Sequence, residues 1–255
     1  MSRVMDEVVL DSYEKTLETG DVDKIRFHYD RDVRQYLYID DDVRSVAETV
    51  KIACENILGM GWNHYSNALR PEVCSGFATV IRDVMSRNRM YIRYLEIGSN
   101  QGVSMAFISE FIKINKIASL LVSVDPYYEE GYLEGEGNPL NKYDNAVAIT
   151  KTTKEDAFRL YSYLKTPVQL LEMRSREALQ KLFTHQEMFD VIYIDGSHQG
   201  LNPMVDTVLA QCIIKPGGVI ILDDWYWDDV LPIKKLLDLH AVKFYECWKI
   251  AAYKF

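Results

Sequence analysis

The sequence lacks the features of membrane, secreted and disulfide-rich proteins. No apolar run approaches a membrane-spanning length, and the first residues carry Arg3, Asp6 and Glu7 where a secretion signal would be apolar. The four cysteines are far apart and form no C-x-x-C pair, which indicates reduced packing residues rather than a disulfide or zinc framework. We therefore expect a cytoplasmic protein without a membrane partner.

An excess of positive charge is also missing. The formal net charge is -9, and the lysines and arginines are dispersed among acids, whereas a nucleic-acid-binding face needs clustered basic residues. We expect no nucleic-acid partner. The chain of 255 residues, of which 48% are hydrophobic, suits one large α/β domain with an added segment. The oligomeric state is not readable from the sequence, and a homo-oligomer stays open.

Two regions differ in character. Residues 1–90 are predicted to form a mostly helical, highly charged N-terminal extension or lid, and residues 91–255 the main domain. Apolar residues between Val43 and Ile57 fall at helical spacing. The acids Asp40 to Asp42 directly before this helix favour a cap over a metal site, because carboxylates suit a helix N-terminus.

The main domain is organised around the segment RYLEIGSNQGVS, residues 93–104. A short apolar run ends at Gly98 and Gly102, and helical periodicity follows, which outlines a buried strand, a glycine turn and a helix. In a parallel sheet such a turn lets a ligand approach the backbone, and the helix N-terminus offers free N–H donors. The pattern predicts a nucleotide-cofactor loop, although a tight turn without a ligand would look similar.

The spacing within this segment indicates the cofactor. It reads E-x-G-x-x-x-G, which lacks the middle glycine of the dinucleotide fingerprint and argues against a nicotinamide cofactor. An acid two residues before the first glycine suits the positive methionine end of S-adenosylmethionine, and loop N–H groups with a serine hydroxyl suit its carboxylate. The cofactor-binding residues predicted here are Glu96, Gly98, Ser99, Asn100, Gly102 and Ser104.

Two further strand ends complete the predicted cofactor site. The apolar run 119–125 ends in Asp125, where a doubly wound sheet brings an acid to both ribose hydroxyls. The run 168–173 is followed by Arg174 and Ser175, which could meet the adenine edge. Between them, residues 126–143 are rich in Gly, Glu and Tyr and are expected to form either a surface loop or a lid.

The fourth and fifth predicted strands are each followed by acidic residues. Asp195 follows one apolar run, and Asp223 and Asp224 follow the next. Neighbouring parallel strands end at the same edge, so these three carboxylates should converge, and they repel one another unless a positive group lies between them. Oxygen ligands suit a hard cation such as Mg²⁺. The alternative is that one or two of these acids cap the following helices or bind the sulfonium directly.

Four other residues are candidates for contact with the acceptor. His198, three residues after Asp195, is the predicted base, because its ordinary pKa lies near working pH; a hydrogen-bonded loop residue is the alternative. Aromatic residues near the site could wall an acceptor pocket or simply pack. The weak substrate candidates are Trp225, Tyr128 and His64.

Together these motifs resemble those of class I S-adenosylmethionine-dependent methyltransferases. The segment from Tyr91 to Asp224 is similar to the catechol and caffeoyl-type metal-dependent O-methyltransferases, and closer to the macrocin-type sugar O-methyltransferases with their D-G-x-H and D-D endings. The resemblance implies a doubly wound, Rossmann-like α/β fold with a seven-stranded sheet whose last strand is antiparallel. It also implies the metal ligands Asp195, Asp223 and Asp224, with Asp195 near the cofactor as well. The catechol enzymes have asparagine in place of Asp224 and a lysine base in place of His198.

The expected function is methyl transfer from S-adenosylmethionine to a hydroxyl of a small molecule, such as a sugar, a glycoside or a phenol, assisted by Mg²⁺ or another hard divalent cation. Three alternatives stay open at this point. They are a metal-independent small-molecule methyltransferase, a nicotinamide-dependent oxidoreductase and a protein that binds S-adenosylmethionine without catalysis.

Overall fold

The computed structural model describes residues 40–59, 68–87, 91–127, 151–247 and 249–255. They belong to one compact unit, Ile39–Phe255. Most of the predicted lid segment 126–143 lies outside the described residues, as do residues 1–39. The predicted domain boundary at residue 90 stays a prediction.

The described part of the N-terminal region is helical, as predicted. Helix α1 spans Asp41–Leu58, and helix α2 spans Pro71–Arg87. Asp40 caps α1, because its Oδ1 accepts a hydrogen bond from the backbone N–H of Val43 at 3.0 Å. Its other oxygen pairs with Arg82 of α2. The prediction of a cap rather than a metal site is confirmed for Asp40.

Strands and helices then alternate along the chain, which is the pattern of a parallel α/β sheet. The elements are β1 (Tyr91–Ile97), α3 (Val103–Ile114), β2 (Ala118–Val124), α4 (Lys151–Leu164), β3 (Val168–Leu171), α5 (Ser175–Thr184), β4 (Phe189–Ile194), α6 (Asn202–Gln211), β5 (Ile214–Leu222), α7 (Leu231–His240), β6 (Val242–Glu246) and β7 (Ala251–Lys254).

The strands form one seven-stranded sheet in the order β3-β2-β1-β4-β5-β7-β6. Strands β1 to β5 are parallel, and β7 runs antiparallel to both β5 and β6. The chain order reverses between β1 and β4, which is the switch point where ligands bind in open α/β sheets. The predicted doubly wound sheet with an antiparallel last strand is confirmed.

The register aligns the strand ends. Val124 of β2 pairs with Ile97 of β1, Ile97 pairs with Ile194 of β4, and Ile194 pairs with Leu222 of β5. The next residue on each strand therefore lies on one rim of the sheet. In sheet order these residues are Asp125, Gly98, Asp195 and Asp223.

The central strands are buried where they reach this rim. All six residues of β4 and the last four of β1 are buried, so these strands read as continuous apolar runs rather than alternating ones. Helix α3 packs through Phe107 and Phe111, whose rings stack at 6.1 Å.

Among the described residues, no helix is both long and apolar enough to span a bilayer.

Candidate active site

The turn between β1 and α3 brings two backbones into direct contact. Gly98 has φ +87°, and a Cβ atom there would lie 1.9 Å from the carbonyl oxygen of Asp195. Gly102 has φ +78°, and its Cβ would lie 2.4 Å from the hydroxyl oxygen of Tyr161 in α4. At both positions the backbone is left-handed and there is no room for a Cβ atom, so only glycine fits. The spacing E-x-G-x-x-x-G is thus explained by packing as well as by any ligand.

Glu96 is fully buried next to this turn. Its Oε1 accepts a hydrogen bond from the Ser104 hydroxyl at 2.8 Å, and its Oε2 lies 3.4 Å from the Tyr94 hydroxyl. Burial raises the pKa of Glu96 to about 8, although both hydroxyls oppose the shift. Two predicted cofactor residues, Glu96 and Ser104, therefore contact each other. A positive ligand nearby would lower the pKa of the Glu96 carboxyl group and favour its ionised form.

Asp125 holds the glycine turn from the side of β2. Its carboxylate accepts hydrogen bonds from the backbone N–H groups of Asn100 and Tyr127, both at 2.9 Å. The Tyr127 hydroxyl in turn donates to the carbonyl oxygen of Asn100 at 2.8 Å. Asn100 adopts φ +45°, and no described residue hydrogen-bonds its buried Oδ1. This orphaned acceptor beside a carboxylate fits a ligand that carries hydroxyl or amino donors.

The remaining predicted cofactor residues lie around the same edge. Ser99 is buried and its hydroxyl contacts that of Ser123 in β2. Ser175 begins α5 and hydrogen-bonds Asp206 of α6, a buried carboxyl group whose pKa burial raises to about 6. Arg174 precedes α5 and is exposed. The structure brings the glycine turn and Asp125 together, with Ser175 and Arg174 at the tip of β3.

The acids at the ends of β4 and β5 converge, as the sequence predicted. Asp195, His198 and Asp223 each offer a ligand atom, and these atoms lie within 4.8 Å of one another. His198 Nε2 is 3.8 Å from Asp195 Oδ1, and the His198 ring packs against Trp227 at 5.2 Å. The Tyr193 hydroxyl donates to Asp195 Oδ2 at 3.1 Å. Burial and the facing Asp223 carboxylate raise the pKa of Asp195.

A buried lysine contacts the two acids after β5. Lys249 Nζ pairs with Asp223 Oδ2 and lies 3.2 Å from Asp224 Oδ1. Burial alone would raise the pKa of Asp223, but the Lys249 ammonium holds it below its ordinary value. Asp224 is not one of the three grouped residues, and it adopts φ +43°.

The residues present fit a hard cation at this end of the rim. Asp223 Oδ1 is buried and receives no hydrogen bond from any amide, hydroxyl or ammonium group of the described residues. It faces the Asp195 carboxylate, and two close carboxylates with an unsatisfied oxygen suit a divalent ion. Asp195 and the Oδ1 atom of Asp223 are therefore available as ligands, while Lys249 contacts Asp223 Oδ2 and Asp224 Oδ1.

The weak substrate candidates are less informative. His64 and Tyr128 lie outside the described residues. The Trp225 indole Nε1 donates to the carbonyl oxygen of Cys247 at 2.6 Å, and its ring lies 4.8 Å from Lys234 Nζ. Its contacts are those of a packing residue, and a role at the acceptor stays a prediction.

Tyr161 and Lys249 are among the site residues that escaped the sequence reasoning. Tyr161 lies in a predicted helix with nothing in its local pattern to separate it from other aromatic residues, so only the fold reveals its contact with the glycine turn. Lys249 did carry a signal. It stands before the apolar run Ile250–Tyr253, and a lysine buried at the edge of such a run requires an acidic partner.

Comparison with known proteins agrees with this geometry. Residues 95–225, just over half of the chain, match the sequence profile of a family described as "Methyltransferase domain". The matched stretch begins in β1 and ends after the two acids that follow β5. A search of curated protein sequences found no match.

Solved structures share the fold at low sequence identity. CalS11, a calicheamicin methyltransferase, is 12% identical with a TM-score of 0.58, covering 86% of this chain and 95% of its own. The O-methyltransferase NovP is 11% identical with a TM-score of 0.55, covering 82% and 98%. The MycE methyltransferase, in complex with Mg and SAH, is 14% identical with a TM-score of 0.50, covering 84% and 54%.

Proposed function

Because the chain belongs to the methyltransferase-domain family, we propose that it transfers the methyl group of S-adenosylmethionine to a hydroxyl of a small molecule, with a divalent cation assisting. One observation carries the proposal. The glycine turn and the acids Asp195 and Asp223 share one rim, and Gly98 touches the backbone of Asp195. A donor bound at the turn and a hydroxyl bound at the acids would therefore be neighbours.

The turn would hold the donor. S-adenosylmethionine, when bound, supplies an electrophilic methyl group on a sulfonium. Asp125 would accept a hydrogen bond from the ribose hydroxyls, since its carboxylate offers about four acceptor sites and the amides of Ser99, Asn100 and Tyr127 occupy three of them. Glu96 and Ser104 would face the methionine end, and Ser175 with Arg174 the adenine. The N–H groups at the start of α3 would bind the donor carboxylate.

The acids would hold the cation. Asp195 and Asp223 are the carboxylates that face each other, and Mg²⁺ prefers oxygen ligands. Such a cation lowers the pKa of a hydroxyl that binds to it and fixes its orientation. Because its nitrogen is a poor ligand for Mg²⁺, His198 is better placed as the base that accepts the hydroxyl proton.

The solved structures with this fold guide the choice of the first acceptors to test. CalS11 is a TDP-rhamnose 3'-O-methyltransferase of calicheamicin biosynthesis, and MycE belongs to the mycinamycin biosynthetic pathway. These names support a sugar or glycoside hydroxyl as the first acceptors to test, with phenols as the second class.

Calorimetry and a transfer assay test the proposal separately. We expect the protein to bind S-adenosylhomocysteine, and Asp125→Ala to weaken this binding by at least roughly tenfold, about 1.4 kcal/mol, through loss of the ribose contacts. Asp228→Ala, which removes an exposed carboxylate, is the matched control. Methyl transfer to sugar nucleotides, glycosides and phenols should stop on EDTA treatment and return with Mg²⁺. Transfer that is indifferent to EDTA would leave a metal-independent methyltransferase, and failure to bind the donor product would refute the proposal.

A further inference from the structure

Lys249 lies between β6 and β7, yet its ammonium is at the end of β5. The residue is only 7% exposed. The turn after β5 is tied to this segment through the backbone as well, because the N–H of Trp225 donates to the carbonyl oxygen of Lys249 at 3.4 Å. The lysine is thus held at the acids by its own segment and does not reach them as a mobile surface side chain.

The ammonium changes the charge of the predicted cation site. Three carboxylates meet there, Asp195, Asp223 and Asp224, and Lys249 contacts two of them. Counted as formal charges, the three carboxylates and the one ammonium sum to -2. That charge matches one divalent ion, whereas three uncompensated carboxylates would bind it more strongly.

Lys249 contacts both acids after β5, but only Asp223 keeps an oxygen that is grouped with Asp195 and His198. Asp224 Oδ1 lies 3.2 Å from Lys249 Nζ, and a left-handed backbone at Asp224, φ +43°, accompanies this orientation. The grouped ligand atoms belong to Asp195, His198 and Asp223 alone. The second acid after β5 is therefore partnered by the lysine.

We propose that Lys249 is a positioning residue of the cation site: it holds Asp224 out of the ligand set and, as a fixed positive charge, keeps the affinity for a divalent ion low. The proposal rests on the proposed function, since it concerns the cation of that same site. It departs from the sequence prediction that all three acids bind the metal. Because only Asp195 and Asp223 would supply carboxylate ligands, coordination positions would remain for water and for the acceptor hydroxyl.

Mn²⁺ affinity, measured by calorimetry without donor or acceptor, tests the proposal directly. We expect Lys249→Met to bind Mn²⁺ roughly tenfold more tightly than the wild type, about 1.4 kcal/mol, because repulsion is lost and Asp224 is released. Adding Asp224→Asn to this variant should return the affinity to near the wild-type value. In the wild-type background, Asp223→Asn should abolish binding and Asp224→Asn should weaken it far less.

Two further variants separate this role from a structural one. Lys249→Arg keeps the charge and should keep the wild-type affinity to within about threefold. Lys234→Met removes an equally buried ammonium, also 7% exposed and paired with two acids, Asp238 and Glu246, and should leave Mn²⁺ affinity unchanged. If Lys249→Met does not fold, Lys249→Gln and the contrast between Asp223→Asn and Asp224→Asn carry the test.

Binding of S-adenosylhomocysteine, measured on every variant, keeps the two proposals apart. A wild type that does not bind it contradicts the proposed function itself. If it binds, the inference about Lys249 is overturned by any of three results: Lys249→Met with unchanged or weaker Mn²⁺ affinity, Asp224→Asn as damaging as Asp223→Asn, or no Mn²⁺ binding by either wild type or Lys249→Met at millimolar concentration.

Discussion

The buried Glu96 gives a quantitative prediction for the unliganded protein. The perturbation is Glu96→Gln, which replaces a carboxyl group that is mostly protonated near neutral pH by a neutral amide of the same shape. The amide can keep both contacts, accepting from Ser104 and facing Tyr94. The variant should therefore fold, and it should differ from the wild type chiefly in how stability depends on pH.

The magnitude follows from the pKa. Burial raises the pKa of Glu96 from 4.5 to about 8 in the folded state. Between these values the unfolded chain has released its proton while the folded chain retains it, so the stability is lost as pH rises through that window. From pH 6 to pH 8 this single group lowers the free energy of unfolding by about 2 kcal/mol. Glutamine does not titrate and removes this loss.

Urea unfolding, followed by circular dichroism at pH 6 and pH 8, measures the difference. The wild type should lose about 2 kcal/mol more than Glu96→Gln over this interval. Glu110→Gln, at a partly buried carboxyl group of α3 that pairs with Lys113, is the control and should follow the wild type. If Glu96→Gln and the wild type lose stability in parallel, Glu96 is ionised in the folded protein and the reasoning from burial is wrong.

Two other predictions concern the glycine turn and the cysteines. Gly98→Ala should destabilise the protein by about 2 kcal/mol or more, because its Cβ would meet the Asp195 carbonyl at 1.9 Å; Gly200→Ala, with φ +60° and open space around it, should cost only about 1 kcal/mol in the same thermal unfolding assay. The reagent DTNB should label one thiol of the native protein and all four after denaturation, since only Cys212 is exposed; Cys212→Ser should remove the native signal, and persistent labelling would contradict the burial of the other three.

Much of the fold was predictable because its signals are local. An apolar run followed by a glycine or an acid marks the end of a buried parallel strand, and β1, β2, β4 and β5 each end in this way. The rule that neighbouring parallel strands end at one edge then places Asp195 near Asp223 without knowledge of the exact register. The antiparallel β7 came from the resemblance to a family, since alternation alone does not fix its pairing.

The partners of the predicted residues were not predictable, because they come from distant parts of the chain. Lys249 is 26 residues from Asp223 along the chain. Tyr161 in α4 is also distant in sequence from the glycine turn, although its hydroxyl lies against that turn in the fold. Local patterns assign a ligand role to Ser104 and Glu96 but cannot show that the two side chains contact each other. Sequence reasoning thus found the acids of the rim and missed the ammonium that compensates two of them.

The two halves of the rim differ in the kind of group that stabilises their acids. On the side of β1 and β2, neutral donors satisfy the acids, with hydroxyls on Glu96 and backbone amides on Asp125. A positive ligand can bind there without displacing a cation, which suits a sulfonium donor. On the side of β5, Lys249 already provides an ammonium, so an added cation must bind against its charge. The two positive charges of the proposed reaction, sulfonium and metal, would therefore bind under different electrostatic conditions.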